Sequence, residues 1–203
     1  MKALDSIDSS LKTAEQPPPD SAPSSHVVAH KFGGSSLASA ERIRRVADLL
    51  RSRPEATQVV VVSAMQGVTD ALIGLTTAAA GKAEWRPQCQ ELLDRHLAAA
   101  SELLGAKANP MQAWLRERFD ELAEKLHAIS VLGSAGRDIA DGLSGKGEVW
   151  SAHLLHALMQ AEGADYGLLD ARELLVVRST LDPKGALYEP LAAVALGSVP
   201  GAP

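Results

Sequence analysis

Apolar residues occur along this 203-residue chain in short β-branched runs and in longer stretches with helical spacing. The runs at 27–29 and 57–63 are too short for helices and rich in valine, which predicts two buried strands. The continuous valines of the second run predict a strand that is covered on both faces. Apolar positions at steps of three and four over residues 39–52 predict a helix between the strands, which makes a parallel, right-handed unit.

Helical spacing dominates the rest of the chain. Residues 81–109 and 110–130 predict two helices separated at an Asn-Pro step, which form a hairpin that packs over a ligand crevice or serves as a lid. Residues 167–177 predict a strand, a turn and a second short apolar run. Two further predicted helices cover residues 70–80 and 149–160.

Composition narrows the functional class. Hydrophobic residues make up 46% of the chain, enough for a core, while aromatic residues make up only 3%. The formal net charge of −5 argues against nucleic acid as a partner, and no apolar run is long enough to predict a membrane helix. A single cysteine, Cys89, excludes an internal disulfide, and without a secretory signal the expected location is cytoplasmic.

The first candidate site is a glycine turn (residues 33–36) that follows the first predicted strand. Lys31 precedes Gly33 and Gly34, and two hydroxyl residues, Ser35 and Ser36, come next. Glycines let the backbone turn sharply and approach a ligand, and the N–H groups of a helix start attract anions. These residues predict a phosphate cradle with a cationic arm. The simpler alternative is a strand–turn–helix junction with a solvated lysine, because the spacing is not that of a P-loop.

A hydroxyl loop (residues 63–69) follows the second predicted strand and contains Ser63 and Thr69. Because the carboxyl ends of parallel strands lie at the same edge of a sheet, this loop is expected to face the same crevice as the glycine turn. Its hydroxyls can hold a carboxylate or a phosphate without a fixed counter-charge. Alternatively, Thr69 only caps the helix that follows it.

A third candidate group is the pair Gly147 and Glu148, which precedes a predicted helix. A carboxylate is a suitable partner for the ammonium group of an amino acid. Glu148 can also stabilise the start of that helix through the helix dipole, and both roles are compatible. His153 and His156 are three residues apart on the same helix, but without a third ligand at a suitable spacing they indicate packing rather than a metal site.

Three motifs occur here in the order in which the aspartate kinases carry them. Residues 31–36 read Lys-Phe-Gly-Gly-Ser-Ser, residues 61–70 read Val-Val-Ser-Ala-Met-Gln-Gly-Val-Thr-Asp, and Gly147-Glu148 is followed by Ser151. On these motifs the chain resembles the aspartate kinase family over about residues 27–177. The stretch Leu-Leu-Asp-Ala-Arg-Glu also resembles the family, and it places Asp170 and Arg172 at the crevice rim unless they form only a surface ion pair.

The resemblance implies an α/β fold of the amino-acid-kinase type, a three-layer sandwich with a mainly parallel sheet, present only in its N-terminal half. It implies ATP-dependent phosphorylation of the side-chain carboxylate of L-aspartate, the first step towards lysine, threonine and methionine. It also implies Mg²⁺ as a cofactor, for which the sequence identifies no ligand residue. The implied ATP-binding residues are Lys31, which is also catalytic, Gly33, Gly34 and Ser35, and the implied aspartate-binding residues are Ser63, Thr69 and Glu148.

The resemblance also implies how the chain is organised. Residues 1–25 are expected to be a disordered leader, residues 26–180 the N-terminal part of the kinase domain, and residues 181–203 a loose tail. The family's later Gly-Arg-Gly-Gly-Ser-Asp motif, with its substrate-binding arginine and catalytic aspartate, does not occur in this sequence. The chain is therefore expected to be truncated and inactive alone, and its intact parent to be a homo-oligomer, with or without a homoserine dehydrogenase domain.

Two other functions remain open at this point. Another member of the same kinase superfamily would phosphorylate glutamate, acetylglutamate or a nucleotide, and phosphorylation assays with these acceptors would identify it. A non-catalytic remnant would instead pair with a full-length kinase subunit, which co-purification and sizing would detect.

Overall fold

The computed structural model describes residues 27–53, 57–170, 177–182 and 185–190. The predicted leader, residues 171–176 with Arg172, and residues 191–203 of the predicted tail lie outside these ranges. The described ranges form an α/β fold in which helices predominate around a small parallel sheet. The elements in chain order are β1 (Val27–Phe32), α1 (Ala40–Arg51), β2 (Thr57–Val62), α2 (Val68–Ala80), α3 (Arg86–Leu104), α4 (Asn109–Leu132), α5 (Arg137–Ser144), α6 (Lys146–Ala161), β3 (Val177–Asp182) and β4 (Gly185–Pro190).

β1 and β2 pair in parallel, which confirms the predicted strand–helix–strand unit. The register places Val27 opposite Thr57 and Phe32 opposite Val62. β1 is longer than the predicted run at 27–29, so Lys31 lies within the strand rather than after it. β3 and β4 pair antiparallel in a separate two-stranded sheet, so the predicted loose tail over residues 181–203 is wrong for the described residues 181–182 and 185–190. Turn-forming residue types both end a segment and connect paired strands, so the sequence pattern alone does not distinguish a loose tail from a strand pair.

The described helices cover only one face of the parallel sheet. Phe32, Val60 and Val62 pack against the core. Val59 and Val61 point to the other face and are 48% and 52% exposed. The prediction that the second strand is buried on both faces is therefore wrong for the described part of the chain. Side chains alternate across a strand, and the helices pack on the side of Val60 and Val62.

The hydrophobic core lies among the helices, and α3 and α4 are central to it. α3 ends at Leu104, earlier than residue 109, because Gly105 has a positive φ of 53° at its end. α4 begins at Asn109 with Pro110 in its first turn, where a missing N–H costs no hydrogen bond. α3 and α4 pack against each other, which confirms the predicted helix pair, and the packing of this pair over a ligand crevice stays a prediction. The lid interpretation is wrong because these helices bury the core residues Leu92, Leu103, Leu115, Phe119, Leu122 and Leu126.

Three further boundaries differ from the predictions. α6 begins at Lys146, so Gly147 and Glu148 lie in its first turn rather than before it. Residues 167–170 form no strand. The short helix α5 has no counterpart among the predicted elements. Across the described ranges, no helix is both long enough and apolar enough to traverse a bilayer.

Candidate functional site

The glycine turn follows β1 directly. Gly33 is extended, with φ −79° and ψ 171°, and the N–H of Ser36 donates to its carbonyl oxygen at 2.9 Å. Residues Gly34–Leu37 then form one 3₁₀ turn, so the backbone reverses within four residues. The Ser35 side chain is exposed, and Arg42 Nη1 donates to the Ser35 carbonyl oxygen at 3.2 Å. The Ser35 hydroxyl and the Arg42 guanidinium are therefore both exposed to solvent beside the carboxyl end of β1.

The hydroxyl loop lies beside this turn, as the parallel strands predict. The Ser63 N–H donates to the Phe32 carbonyl oxygen at 2.9 Å, which extends the β1–β2 pairing past the end of β2. Gly67 then adopts a left-handed conformation with φ 79°, which a residue with a side chain adopts only with strain. α2 begins at Val68 without a side-chain cap, so Thr69 lies in its first turn and does not serve as the cap. The capping alternative for Thr69 is therefore wrong.

Glu148 lies in the first turn of α6, where its charge suits the helix dipole. Its Oε2 atom is buried and has no hydrogen-bond partner among the described residues. Ser151 Oγ, three residues along the same helix, is also buried without a partner. Because buried polar groups are nearly always paired, two unpaired atoms three residues apart on one helix mark this turn as a candidate contact for a polar ligand or water.

Two close contacts hold the three motifs together at Ala64. A β-carbon placed on Gly34 would lie 3.0 Å from the Ala64 carbonyl oxygen. A β-carbon placed on Gly147 would lie 2.6 Å from Ala64 Cβ and 2.8 Å from Val68 Cγ1. The glycine turn and the start of α6 thus both contact the hydroxyl loop, which connects the segments of Gly34 and Glu148 to that of Thr69.

Lys31 is placed differently from these residues. Its Cα lies opposite Val61, and the alternation of a strand puts its side chain on the same face as Val61 and Ser63. This face is exposed, and Lys31 itself is exposed. The structure therefore puts Lys31 on the open face of the sheet, one residue before the end of β1.

A cluster of aromatic rings from α3, α4 and α6 had no counterpart among the predicted site residues. His96 is fully buried, and its ring lies 5.1 Å from the Trp150 ring and 5.6 Å from the Phe119 ring, measured between centroids. Burial lowers the pKa of His96 to about 4, with a smaller effect of the Arg95 charge in the same direction, against a hydrogen bond to the Leu92 carbonyl oxygen. The helical spacing of His96 could have indicated burial, but not its ring partners.

The arginines of α1 were also missed as candidates. Arg42 and Arg45 line a groove of about 240 Å³ with Phe32, Ser36 and exposed Leu49. The sequence did offer a signal, since three arginines occur within four residues (42–45) of the predicted helix that follows the glycine turn. A larger cavity of about 390 Å³ lies between α2 and α3 and contains none of the three motifs.

The two histidines of α6 have packing contacts. His153 stacks on Trp114 with 4.0 Å between ring centroids, and His156 Nε2 lies 3.0 Å from the Tyr166 carbonyl oxygen. Burial is the main cause that lowers the pKa of His153, and the charge of Asp170 partly opposes it. Within the described ranges, no group of three or more His, Cys, Asp or Glu side chains could hold a metal ion.

Known proteins share this arrangement of elements. Crystal structures of E. coli aspartokinase III match with TM-scores of 0.65 for the complex with lysine and aspartate and 0.60 for the complex with aspartate and ADP. Their sequence identities are 22% and 24%, and the matches cover 82% and 73% of this chain but 35% and 32% of those chains. At these identities the likeness establishes the fold, which is that of the amino acid kinases.

Sequence comparisons agree with the structural match. The bifunctional aspartokinase/homoserine dehydrogenase 1 of Zea mays is 35% identical over 159 residues, which is 77% of this chain and 17% of that protein. The aspartokinase of Chlamydia pneumoniae is 31% identical over 150 residues, which is 73% of this chain and 31% of that protein. This chain thus spans only a minor part of the length of these relatives. The model of the amino acid kinase family matches residues 26–192, and the chain therefore belongs to that family.

Proposed function

We propose that this chain forms the aspartate-binding part of an aspartate kinase, which transfers the γ-phosphoryl group of ATP to the side-chain carboxylate of L-aspartate. The observation that carries this proposal is the buried, unpaired Oε2 atom of Glu148 on a helix turn that contacts the hydroxyl loop. A buried carboxylate oxygen without a partner is costly, and a substrate ammonium group would remove that cost. The named relatives and the two crystal structures with aspartate support the same choice of substrate.

The reaction fits a site built from hydroxyls and backbone N–H groups. In the proposed step, an oxygen of the substrate carboxylate bonds to the γ-phosphorus, and the bond from that phosphorus to the β-phosphate oxygen breaks, which yields an acyl phosphate and ADP. A carboxylate with a pKa near 4 is already ionised at neutral pH, so the attack requires no general base. Catalysis then depends on alignment and on neutralising charge around the transferred group.

Each motif has a role in this proposal. Ser63 and Thr69 donate hydroxyl hydrogen bonds to the carboxylates of aspartate, and Glu148 accepts from its ammonium group. Lys31 supplies positive charge to the transferred phosphoryl group, and the N–H groups of the glycine turn hold the phosphates of ATP. The glycine-turn residues proposed to do so are Gly33, Gly34 and Ser35.

Magnesium commonly accompanies ATP in phosphoryl transfer. The described residues offer no cluster of three or more His, Cys, Asp or Glu side chains for it. The acidic residue at the proposed substrate site, Glu148, is assigned to the ammonium group instead. No step of the proposed mechanism is therefore assigned to magnesium.

A comparison of acceptors tests the proposed substrate. The anionic Glu148 favours a free α-ammonium group, so the chain should bind L-aspartate and reject N-acetyl-L-aspartate, which has the same carboxylates without the positive charge. Binding of L-glutamate shows whether the site accepts a side chain that is one methylene longer. Binding of acetylglutamate or a nucleotide would instead favour the function of another member of the superfamily. Calorimetric titration of the full chain with each compound gives the affinities. Equal binding of L-aspartate and its N-acetyl form would refute the role of Glu148.

A second candidate function rests on the exposed valines of the sheet. The exposed side chains of Val59 and Val61 form an apolar strip on the open face of the sheet. Val27, at the start of β1, is 60% exposed. Open apolar surface of this kind favours association with another protein, here a kinase subunit that this chain would support without catalysis. Co-elution with a full-length kinase subunit, without aspartate binding by this chain alone, would favour this second function.

A further inference from the structure

Gly147 is the tightest glycine contact among the described residues. It is buried in the first turn of α6, and a β-carbon there would lie 2.6 Å from Ala64 Cβ and 2.8 Å from Val68 Cγ1. Both distances are shorter than side-chain carbons tolerate, so a residue with a side chain would force the two segments apart by several tenths of an ångström. The helix geometry itself does not require glycine here, because φ at this position is not positive.

Other helical glycines lack such a contact. A β-carbon on Gly74 in α2 or on Gly142 in α5 would meet no atom within 4 Å. Glycine inside a helix lowers helix stability relative to alanine, wherever it occurs. At Gly147 this loss of helix stability accompanies a close approach of two segments that a side chain would prevent. At Gly142 no neighbouring segment would obstruct a side chain.

The hydroxyl loop has little room to move away from Gly147. Ala64 and Val68 are 4% and 0% exposed, and Gly34 contacts the Ala64 backbone, where an added β-carbon would lie 3.0 Å from its carbonyl oxygen. A side chain at position 147 would therefore displace the first turn of α6 rather than the loop. Glu148 is the next residue on that turn and would be displaced with it.

We propose that Gly147 is a positioning residue for aspartate binding, because the absence of its side chain sets the distance between the Glu148 carboxylate and the hydroxyls of Ser63 and Thr69. Ala64 and Val68, which Gly147 contacts, are the direct neighbours of those two hydroxyl residues in the sequence. This inference rests on the proposed function. It goes further in assigning the geometry of the site to a backbone contact that binds no ligand itself.

Gly147→Ala in the full chain tests this inference, with Gly142→Ala as the matched control. Because misplacement of a binding group by less than 1 Å has large effects, Gly147→Ala should weaken L-aspartate binding by about tenfold to 100-fold. Gly142→Ala should bind aspartate as the wild type does and melt at the same or a higher temperature. Calorimetric titration well below the melting temperature measures the affinity, and hydrogen exchange of residues 63–70 reports the packing of the loop.

A rescue variant separates positioning from a general loss of stability. Gly147→Ala combined with Ala64→Gly removes the atom at 2.6 Å and should recover a large part of the lost affinity, although Val68 Cγ1 remains close. Unchanged affinity in Gly147→Ala, or a double variant that recovers neither the fold nor the affinity, would overturn the inference. A wild-type chain that binds no aspartate would refute the proposed function and this inference together, whereas wild-type binding that Gly147→Ala leaves intact would refute the inference alone.

Discussion

The buried histidine of α3 should make the stability of this protein depend on pH. His96 is fully buried, and its pKa falls from an ordinary value of 6.5 to about 4, mainly because burial disfavours the charged ring. As the pH falls below 6.5, the unfolded chain binds a proton at this position while the folded chain does not. Stability is therefore complete above pH 6.5 and decreases as the pH falls towards 4.

The size of this loss follows from the difference between the two pKa values. The limiting free energy for this histidine is about 3 kcal/mol, since each pKa unit corresponds to a little over 1 kcal/mol. A change from pH 7.5 to pH 5.0 covers most, but not all, of the interval between the two pKa values. The free energy of unfolding should therefore fall by about 2 kcal/mol over this change. A loss of this size is a large fraction of the stability of a typical domain.

Urea unfolding at pH 7.5 and pH 5.0, followed by tryptophan fluorescence, measures this loss. Trp150 lies against His96 and reports directly on this part of the core. His96→Gln removes the titrating group and can keep a donor towards the Leu92 carbonyl oxygen, which His96 Nδ1 approaches to 2.7 Å. This variant should be less stable than the wild type at pH 7.5, but it should lose about 2 kcal/mol less between the two pH values.

Exposed His127 provides the matched control. His127→Gln should leave the free energy of unfolding close to that of the wild type, because substitutions at exposed positions usually change it by less than about 0.5 kcal/mol. If the wild type and His96→Gln lost equal stability between pH 7.5 and pH 5.0, the argument from burial would be refuted.

Two other predictions concern β1 and β2. In a preparation that forms aspartyl phosphate, Lys31→Ala should raise the activation free energy by about 2.7–4 kcal/mol and so reduce turnover, without lowering the melting temperature. Lys125→Ala, at an exposed position, should change neither quantity. Normal turnover in Lys31→Ala would reject the catalytic role of Lys31. Threonine at Val59 and Val61 should reduce self-association measured by analytical ultracentrifugation, because these side chains leave apolar surface open. Val60→Thr on the opposite face should instead lower stability by about 1–3 kcal/mol, and identical effects from both faces would contradict the assignment of the open face.

Most strands and helices of this fold could be predicted because each depends on the spacing of apolar residues within its own segment. The valine run and the helical spacing that follows it predict β2 and α2, and the structure has both. Burial was less predictable, because a run of valines shows that both faces are apolar but not that a second layer covers them. Val59 and Val61 are exposed for this reason. The start of α6 at Lys146 was missed because Gly147 reads as a helix breaker in the sequence.

The candidate site was predictable in part. The shared edge of two parallel strands predicts that the glycine turn and the hydroxyl loop are neighbours, and the Gly34–Ala64 contact agrees with this. The approach of Gly147 to Ala64 and Val68 could not be predicted, because it joins residues about 80 positions apart through tertiary packing. The same holds for the ring contacts of His96, whose partners are on α4 and α6.

One paired titration tests the proposed binding of the aspartate ammonium group by the Glu148 carboxylate. Glu148→Gln keeps the size of the side chain and removes its charge, and Glu124→Gln makes the same change on the exposed surface of α4. Losing a charge-assisted hydrogen bond costs about 1.5–3 kcal/mol, so Glu148→Gln should weaken L-aspartate binding by roughly tenfold to 100-fold, with little change in ATP binding or melting temperature. Glu124→Gln should bind both ligands as the wild type does. Equal weakening of aspartate and ATP binding in Glu148→Gln, together with a lowered melting temperature, would show that Glu148 only stabilises α6.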